Sequence, residues 1–244
     1  MANEHLPPIS VVVPVYNEQD CLDSVLPELI AACAVFEDYE IIAVNDGSSD
    51  RSGEILRGYA RRCGHFRCLE ITPNSGQSAA LRVGFGEARF EFTATLDADG
   101  QNDPRDIATC LRLLLDSGAD VCSGIRLDRR DSWSKRLGSR LANAVRRRIL
   151  GDGVRDTGCP LKVYRTVFLR RLQYWHGMHR FLPALCQASG ARVVQRPVSH
   201  RHRMAGTSKY TNFGRLMVVI RDLAGVAWLK SRSRQFTYSE VPRV

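Results

Sequence analysis

Phe92-Thr93-Ala94-Thr95-Leu96-Asp97-Ala98-Asp99-Gly100-Gln101-Asn102-Asp103-Pro104 is the stretch that decides the fold. A buried-strand pattern stops abruptly at two carboxylates one residue apart, followed by a glycine turn and a proline that opens a helical pattern. On an extended chain residues 97 and 99 share a side, so both charges face one spot. Carboxylates that close need a cation between them, or one must hold a proton. A hard divalent ion with oxygen ligands, Mg2+ or Mn2+, meets that need, with a diphosphate on its far side. The plainer alternative is an acidic turn that caps the next helix.

Two earlier stretches share the plan. Ile9-Ser10-Val11-Val12-Val13-Pro14-Val15-Tyr16-Asn17-Glu18 is an apolar, β-branched run stopped by polar groups. Glu40-Ile41-Ile42-Ala43-Val44-Asn45-Asp46-Gly47-Ser48-Ser49-Asp50 is a strand, an acid and a Gly/Ser turn. Continuous apolar runs alternating with helical stretches predict an α/β fold with a mostly parallel sheet. Strands are expected at 9–14, 39–45, 67–71, 92–97, 119–124 and 191–198. Helices are expected at 19–36, 50–62, 76–89, 104–116, 132–149, 165–172, 178–188 and 211–230. Ligands of such sheets gather at the carboxyl ends of the strands. Glu18, Asp46, Asp97 and Asp99 all fall just past such ends, which predicts one shared crevice.

At this point the residues resemble a family, the inverting GT-A glycosyltransferases of family 2. Val13-Pro14-Val15-Tyr16-Asn17-Glu18, Asn45-Asp46-Gly47-Ser48-Ser49-Asp50, Asn74-Ser75-Gly76-Gln77 and Asp97-Ala98-Asp99-Gly100-Gln101 carry the likeness. The carboxyl half resembles the polyprenyl-phosphate sugar transferases, of the dolichyl-phosphate mannose synthase type. There the matching pieces are Asp131-Ser132-Trp133, Asp156-Thr157-Gly158-Cys159 and Arg203-Met204-Ala205-Gly206-Thr207-Ser208-Lys209-Tyr210. The resemblance implies a Rossmann-like, three-layer α/β/α domain over residues 1–210. Residues 211–244 then form an amphipathic interfacial helix and a polar tail. It places Pro14, Tyr16, Glu18, Val44 and Asp46 around the base and ribose of a UDP- or GDP-linked sugar. Ala98 contacts the sugar-nucleotide, Asp97 contacts the sugar-nucleotide or the ion's shell, and Asp99 and Gln101 are the metal ligands, with Asp97 and Asp99 counted as catalytic. Positions matching Arg126, Arg203 and Lys209 hold donor and acceptor phosphates. One departure stands out: the first acid of the usual Asp-Asp-Gly-Ser is Asn45 here.

The net charge of +9 hides an asymmetry. Residues 1–120 carry a net −11 and residues 121–244 a net +20. A basic half facing an anionic partner is either nucleic-acid or membrane binding. No docking motif is visible and the basic residues are not interleaved with aromatics, which argues against a nucleic-acid module and leaves it as the alternative from a different class. Gly84-Phe85-Gly86 lacks the third glycine of a dinucleotide fingerprint, and no GxxxxGK[ST] is present. Met1 to Asp20 has no Gly-rich basic signature of a pyrophosphorylase. Eight cysteines show no paired CxxC spacing, and Met1 to Pro8 has neither the basic flank nor the apolar run of a signal peptide; reduced thiols in the cytosol follow.

The acceptor divides two readings. A sugar hydroxyl needs a general base near the anomeric carbon, and Asp156 is the candidate. A phosphomonoester, with its second pKa near 6, is already a nucleophile at neutral pH and needs cations to hold it. Arg126, Lys135, Arg136 and Arg140 are the cations for that task, since the guanidinium fork suits phosphate oxygens. Ser132 to Val145 joins an interfacial Trp133 to a basic helix, as peripheral contact with a polyprenyl-phosphate-bearing membrane requires. Phe213, Leu216, Met217, Ile220, Leu223, Ala224, Ala227 and Trp228 form one stripe, on a helix that either packs on the domain or lies on a bilayer. Many relatives carry membrane spans beyond this point; here docking falls to these helices, at the inner face of the cytoplasmic membrane, or to a separate membrane-protein partner.

Overall fold

The computed structural model describes residues 5–126, 144, 146–201 and 212–233. Seven strands form one sheet in the order β3-β2-β1-β4-β6-β5-β7. They are β1 (Ile9–Val15), β2 (Tyr39–Asp46), β3 (Phe66–Ile71), β4 (Phe92–Thr95), β5 (Val121–Arg126), β6 (Lys162–Arg165) and β7 (Val193–Val198). All neighbours pair in parallel except β6, which runs against both β4 and β5. Central β1 and β2 are covered on both faces, which is why they read as unbroken apolar runs.

Strand alternation sorts the core into two layers. Val11, Val13, Ile41 and Ala43 face α1 (Gln19–Cys33), α2 (Ser52–Arg62) and α4 (Asp106–Ser117) through Leu22, Leu26, Leu56, Ile107 and Leu111. Val12, Ile42 and Val44 face the other way, onto α3 (Gln77–Glu87), α5 (Thr166–Arg170), α6 (Leu182–Ala188) and α7 (Asn212–Arg232). Gly84 lets α3 lie directly on the sheet, because a Cβ there would stand 2.3 Å from Val12 Cγ1. On α7, Leu223 and Val226 are buried in this second layer while Ile220, Trp228 and Leu229 are exposed.

The expected strands are found with shifted ends, and one strand was not foreseen. β6 is four residues, Lys-Val-Tyr-Arg, with a charge at each end and no apolar run to announce it. The helix expected at 178–188 is a 3-10 turn at Met178–Arg180 and then α6. Only 144 and 146–149 of the expected 132–149 helix are described; they are helical, as is residue 150. β4 ends at Thr95, so Asp97 and Asp99 stand on a turn beyond the strand rather than on it. The sheet order reverses direction between β1 and β4, which puts a switch-point crevice between their carboxyl ends.

Candidate active site

That crevice is a cavity of about 370 Å³ lined by Pro14, Val15, Tyr16, Glu18, Asp46, Asn74, Gly76, Gln77, Ala80, Asp97, Ala98 and Asp99. All four acids expected to share one crevice line it. Its wall is set by hydrogen bonds between loops. Asn17 takes the left-handed conformation (φ 52°), and its Oδ1 accepts the Ser49 N–H at 2.8 Å while its own N–H donates to Ser48 Oγ at 3.0 Å. The Glu18 N–H donates to Ser52 Oγ at 2.9 Å, and the Gln19 N–H to Asp50 Oδ2 at 3.2 Å. The Gly/Ser turn after β2 therefore locks the β1 loop, and with it Tyr16 and Glu18.

Asp46 organises the opposite wall. Its carboxylate accepts the Ser75 N–H (2.8 Å), the Gly76 N–H (2.7 Å) and Asn74 Nδ2 (2.8 Å). Gly76 sits at φ 88°, and a Cβ there would stand 2.9 Å from the His176 ring. The exposed His176 imidazole therefore stands beside Gly76.

The edge after β4 is far less satisfied. Asp97 Oδ1 accepts Gln77 Nε2 at 2.9 Å, and Asp99 Oδ1 accepts the Gln101 N–H at 3.1 Å. Burial pushes the Asp97 carboxyl up to about 7, helped by the charges of Asp99 and Glu18 and opposed by Lys162 and Arg126. Among the described residues no group of three or more acidic, His or Cys side chains forms a preassembled cage. Two carboxylates at a cavity edge fit an ion that takes one or two protein oxygens and completes its shell with phosphates and water.

Behind this edge lies a basic floor. Arg126 Nε and Nη2 reach Asp156 Oδ2 and Oδ1 at 2.7 and 2.8 Å, a bidentate pair shielded from solvent. Lys162 is buried, and its ammonium donates to the Thr157 carbonyl at 3.3 Å and to that of Cys159. Burial lowers its pKa, while the nearby Cys159, Asp156 and Asp97 favour the charged form.

A model of the family described as Glycosyl transferase family 2 matches residues 10–173. The chain belongs to that family. Among its relatives in family 2, an undecaprenyl-phosphate 4-deoxy-4-formamido-L-arabinose transferase of Edwardsiella ictaluri is 42% identical over 204 residues, covering 83% of this chain and 62% of its own length. That of Enterobacter sp. is 37% identical over 217 residues, covering 88% of this chain and 66% of its own length. The chain thus spans less than two thirds of the length of these curated relatives. Glucosyl-3-phosphoglycerate synthase from Mycobacterium tuberculosis, solved with Mn2+, UDP and glucosyl-3-phosphoglycerate, superimposes with a TM-score of 0.66 at 18% identity, over 91% of this chain and 79% of that one. A Pyrobaculum calidifontis mannosyltransferase in complex with GDP-Man and Mn2+ gives 0.66 at 18%, over 97% and 67%. At that identity the likeness is one of fold, the GT-A arrangement of a mostly parallel sheet between helices.

Within this family 2 frame the expected site residues separate. Pro14, Tyr16, Glu18, Asp46, Asp97, Ala98 and Asp99 come together in the cavity wall, and Gln101 adjoins it through its N–H to Asp99. Val44 is placed otherwise: its side chain is fully buried in the second core layer. Asp156 is paired with Arg126 through both carboxylate oxygens, at 2.7 and 2.8 Å. Lys135, Arg136, Arg140, Arg203 and Lys209 lie outside the described residues. Lys162 escaped the sequence reading because a lone lysine between Leu161 and Val163 looks like an edge residue; only the β6 pairing buries it.

Proposed function

We propose that this chain carries out a divalent-metal-dependent, inverting transfer of a sugar from a UDP- or GDP-linked donor to a polyprenyl phosphate at the cytoplasmic face of a membrane. The observation that carries the reading is the Asp97–Asp99 pair, two carboxylates that among the described residues have one hydrogen bond apiece, at the edge of a cavity of nucleotide size. A bound Mg2+ or Mn2+ supplies charge to offset that which builds on the departing diphosphate. Tyr16, 40% exposed at the rim, offers a face for the base, and Glu18 offers acceptor oxygens for sugar or base hydroxyl and amine groups. Asp97, held by Gln77, is the carboxylate set to contact the sugar-nucleotide.

The acceptor reading turns on Arg126. With Asp156 bonded to it in a bidentate pair, this part of the site presents a placed cation rather than a base, and cations are what a phosphate nucleophile requires. The curated relatives' names, which specify undecaprenyl phosphate, point the same way, and make 4-deoxy-4-formamido-L-arabinose the first sugar to test. No described helix is long and apolar enough to cross a membrane. The exposed Ile220, Trp228 and Leu229, beside Arg221, Lys230 and Arg232, are the proposed contact with the bilayer surface.

The test is a matrix of UDP- and GDP-sugars against undecaprenyl phosphate in anionic vesicles and against soluble glycan acceptors, with Mn2+, Mg2+ or EDTA. Metal-dependent product on the lipid phosphate is expected. Product only on a hydroxyl acceptor would overturn the acceptor assignment, and undiminished turnover in EDTA the metal assignment.

A further inference from the structure

One arginine outside the ligand set ties the turn that carries Asp99 to distant parts of the chain. Arg201 follows β7, and its N–H donates to the Gln101 carbonyl at 2.7 Å. Its Nη1 and Nη2 reach Glu28 Oε2 and Oε1 on α1, both at 2.8 Å, and Nη2 also reaches Asp103 Oδ2 at 2.8 Å. Arg105 holds the same Asp103 from the other side, Nη2 to Oδ2 at 2.6 Å. Arg105 and Arg201 together keep that carboxyl down at about 2, so it stays charged. Alongside, the Ser199 N–H donates to Asp106 Oδ2 at 2.7 Å, and Asn102 pairs with His200 in an antiparallel bridge. Residues 199–201 are therefore laced along residues 101–106.

The turn has little hold of its own. Asn102 is only 3% exposed, yet among the described residues its carboxamide meets no hydrogen-bond partner on either atom. Among the described residues, the Asp99 carboxylate is held by the Gln101 backbone N–H. Arg105 holds Asp103 from within the segment; the hold from outside centres on a guanidinium shared by two carboxylates and backed by its own main chain. A fork of this kind sets geometry: its planar donors fit carboxylates in few orientations, which a lysine ammonium does not reproduce.

We propose that Arg201 is a positioning residue for cation binding: by clasping Glu28, Asp103 and the Gln101 carbonyl, it fixes the turn that presents Asp99 to a divalent ion. The inference rests on the reading of Asp99 and Gln101 as a cation site. Groups that orient ligands from behind are worth about 10- to 100-fold in metal affinity, which is the effect expected here.

Mn2+ binding to the full chain, followed by the electron paramagnetic resonance of free Mn2+ with UDP or GDP present, tests it. Arg201→Ala should weaken Mn2+ binding by about tenfold or more, while metal-free nucleotide binding, which uses the Tyr16 and Asp46 walls, stays as in the wild type. Arg201→Lys should recover only part of the loss. Should Arg201→Ala fail to fold, Glu28→Gln, which keeps the shape and removes one arm of the clasp, should give a smaller loss in the same direction. Wild-type Mn2+ affinity in the folded variant would overturn the clasp and leave the cation site standing. No Mn2+ binding by the wild type would remove the cation site and the clasp with it.

Discussion

Asp46 closes β2, the Asp97–Asp99 pair follows β4, and the two acidic ends face each other across one cavity at opposite degrees of hydrogen-bond saturation. Asp46 takes three donors from the Asn74–Gly76 loop, two of them backbone amides. Among the described residues, Asp97 and Asp99 take one donor each while repelling one another. A carboxylate dressed in that way is a keystone: its charge is spent on backbone amides, and it holds a wall. A pair left underdressed is a receptor for positive charge. Strand, acid and small-residue turn recur at both places in the sequence, so a motif of this kind marks the site without revealing which acid builds it and which works in it.

The comparison predicts opposite responses to removing each acid. Asp99→Ala should cut sugar transfer by about 1,000-fold, close to 4 kcal/mol of barrier, and abolish Mn2+ binding. Its metal-free melting temperature should not fall, because a repulsion has been removed. A stable, active Asp99→Ala enzyme would break the distinction. Asp46→Ala should do the reverse, costing about 3 kcal/mol of stability in denaturant titration by stranding the amides of Ser75 and Gly76. Asp46→Ala as stable as the wild type would show that loop to be self-supporting.

A pH series sharpens the contrast. The folded Asp97 carboxyl is raised from an ordinary 3.8 to about 7, so between those values the folded protein holds a proton the unfolded chain has released. Stability contributed by Asp97 is therefore complete below about pH 4 and declines as pH rises towards 7. Melting temperature measured in EDTA should show that downward component, and saturating Mn2+ should flatten it. Asp99→Asn should flatten it only partly, since burial is the larger cause. A slope that Mn2+ leaves untouched would mean the pair is not where the ion sits. Smallest is the effect of Tyr16→Ala, which removes a stacking face worth about 1 kcal/mol. Donor affinity, read by calorimetry, should fall about fivefold with little change in turnover.

Much of this was legible in the chain. The β1, β2 and β4 runs announce buried parallel strands, and the acids after them fall at one edge because parallel strands end on the same side. The exceptions have physical causes. Val44 belongs to the sequence motif and shares a strand face with Asp46, but it lies one pleat back from the carboxyl edge and is buried in the second core layer. Asp156 read as a base because nothing in Asp156-Thr157-Gly158-Cys159 shows that Arg126, thirty residues earlier, comes to lie in bidentate contact with it. β6 was hidden because four residues with charged ends give no period to detect.

By itself the sequence determined the class of fold, the edge of the sheet where ligands collect and the acids gathered there. Those follow from local patterns of burial and turn chemistry, which act over a few residues. Only the tertiary structure decided the partners of those charges: Asp46 saturated by a loop, Asp156 held by Arg126, Lys162 buried beneath the site, and Arg201 bound to a helix far back in the chain. Pairing of charges depends on ångström distances between segments remote in sequence, and a linear pattern carries no record of them.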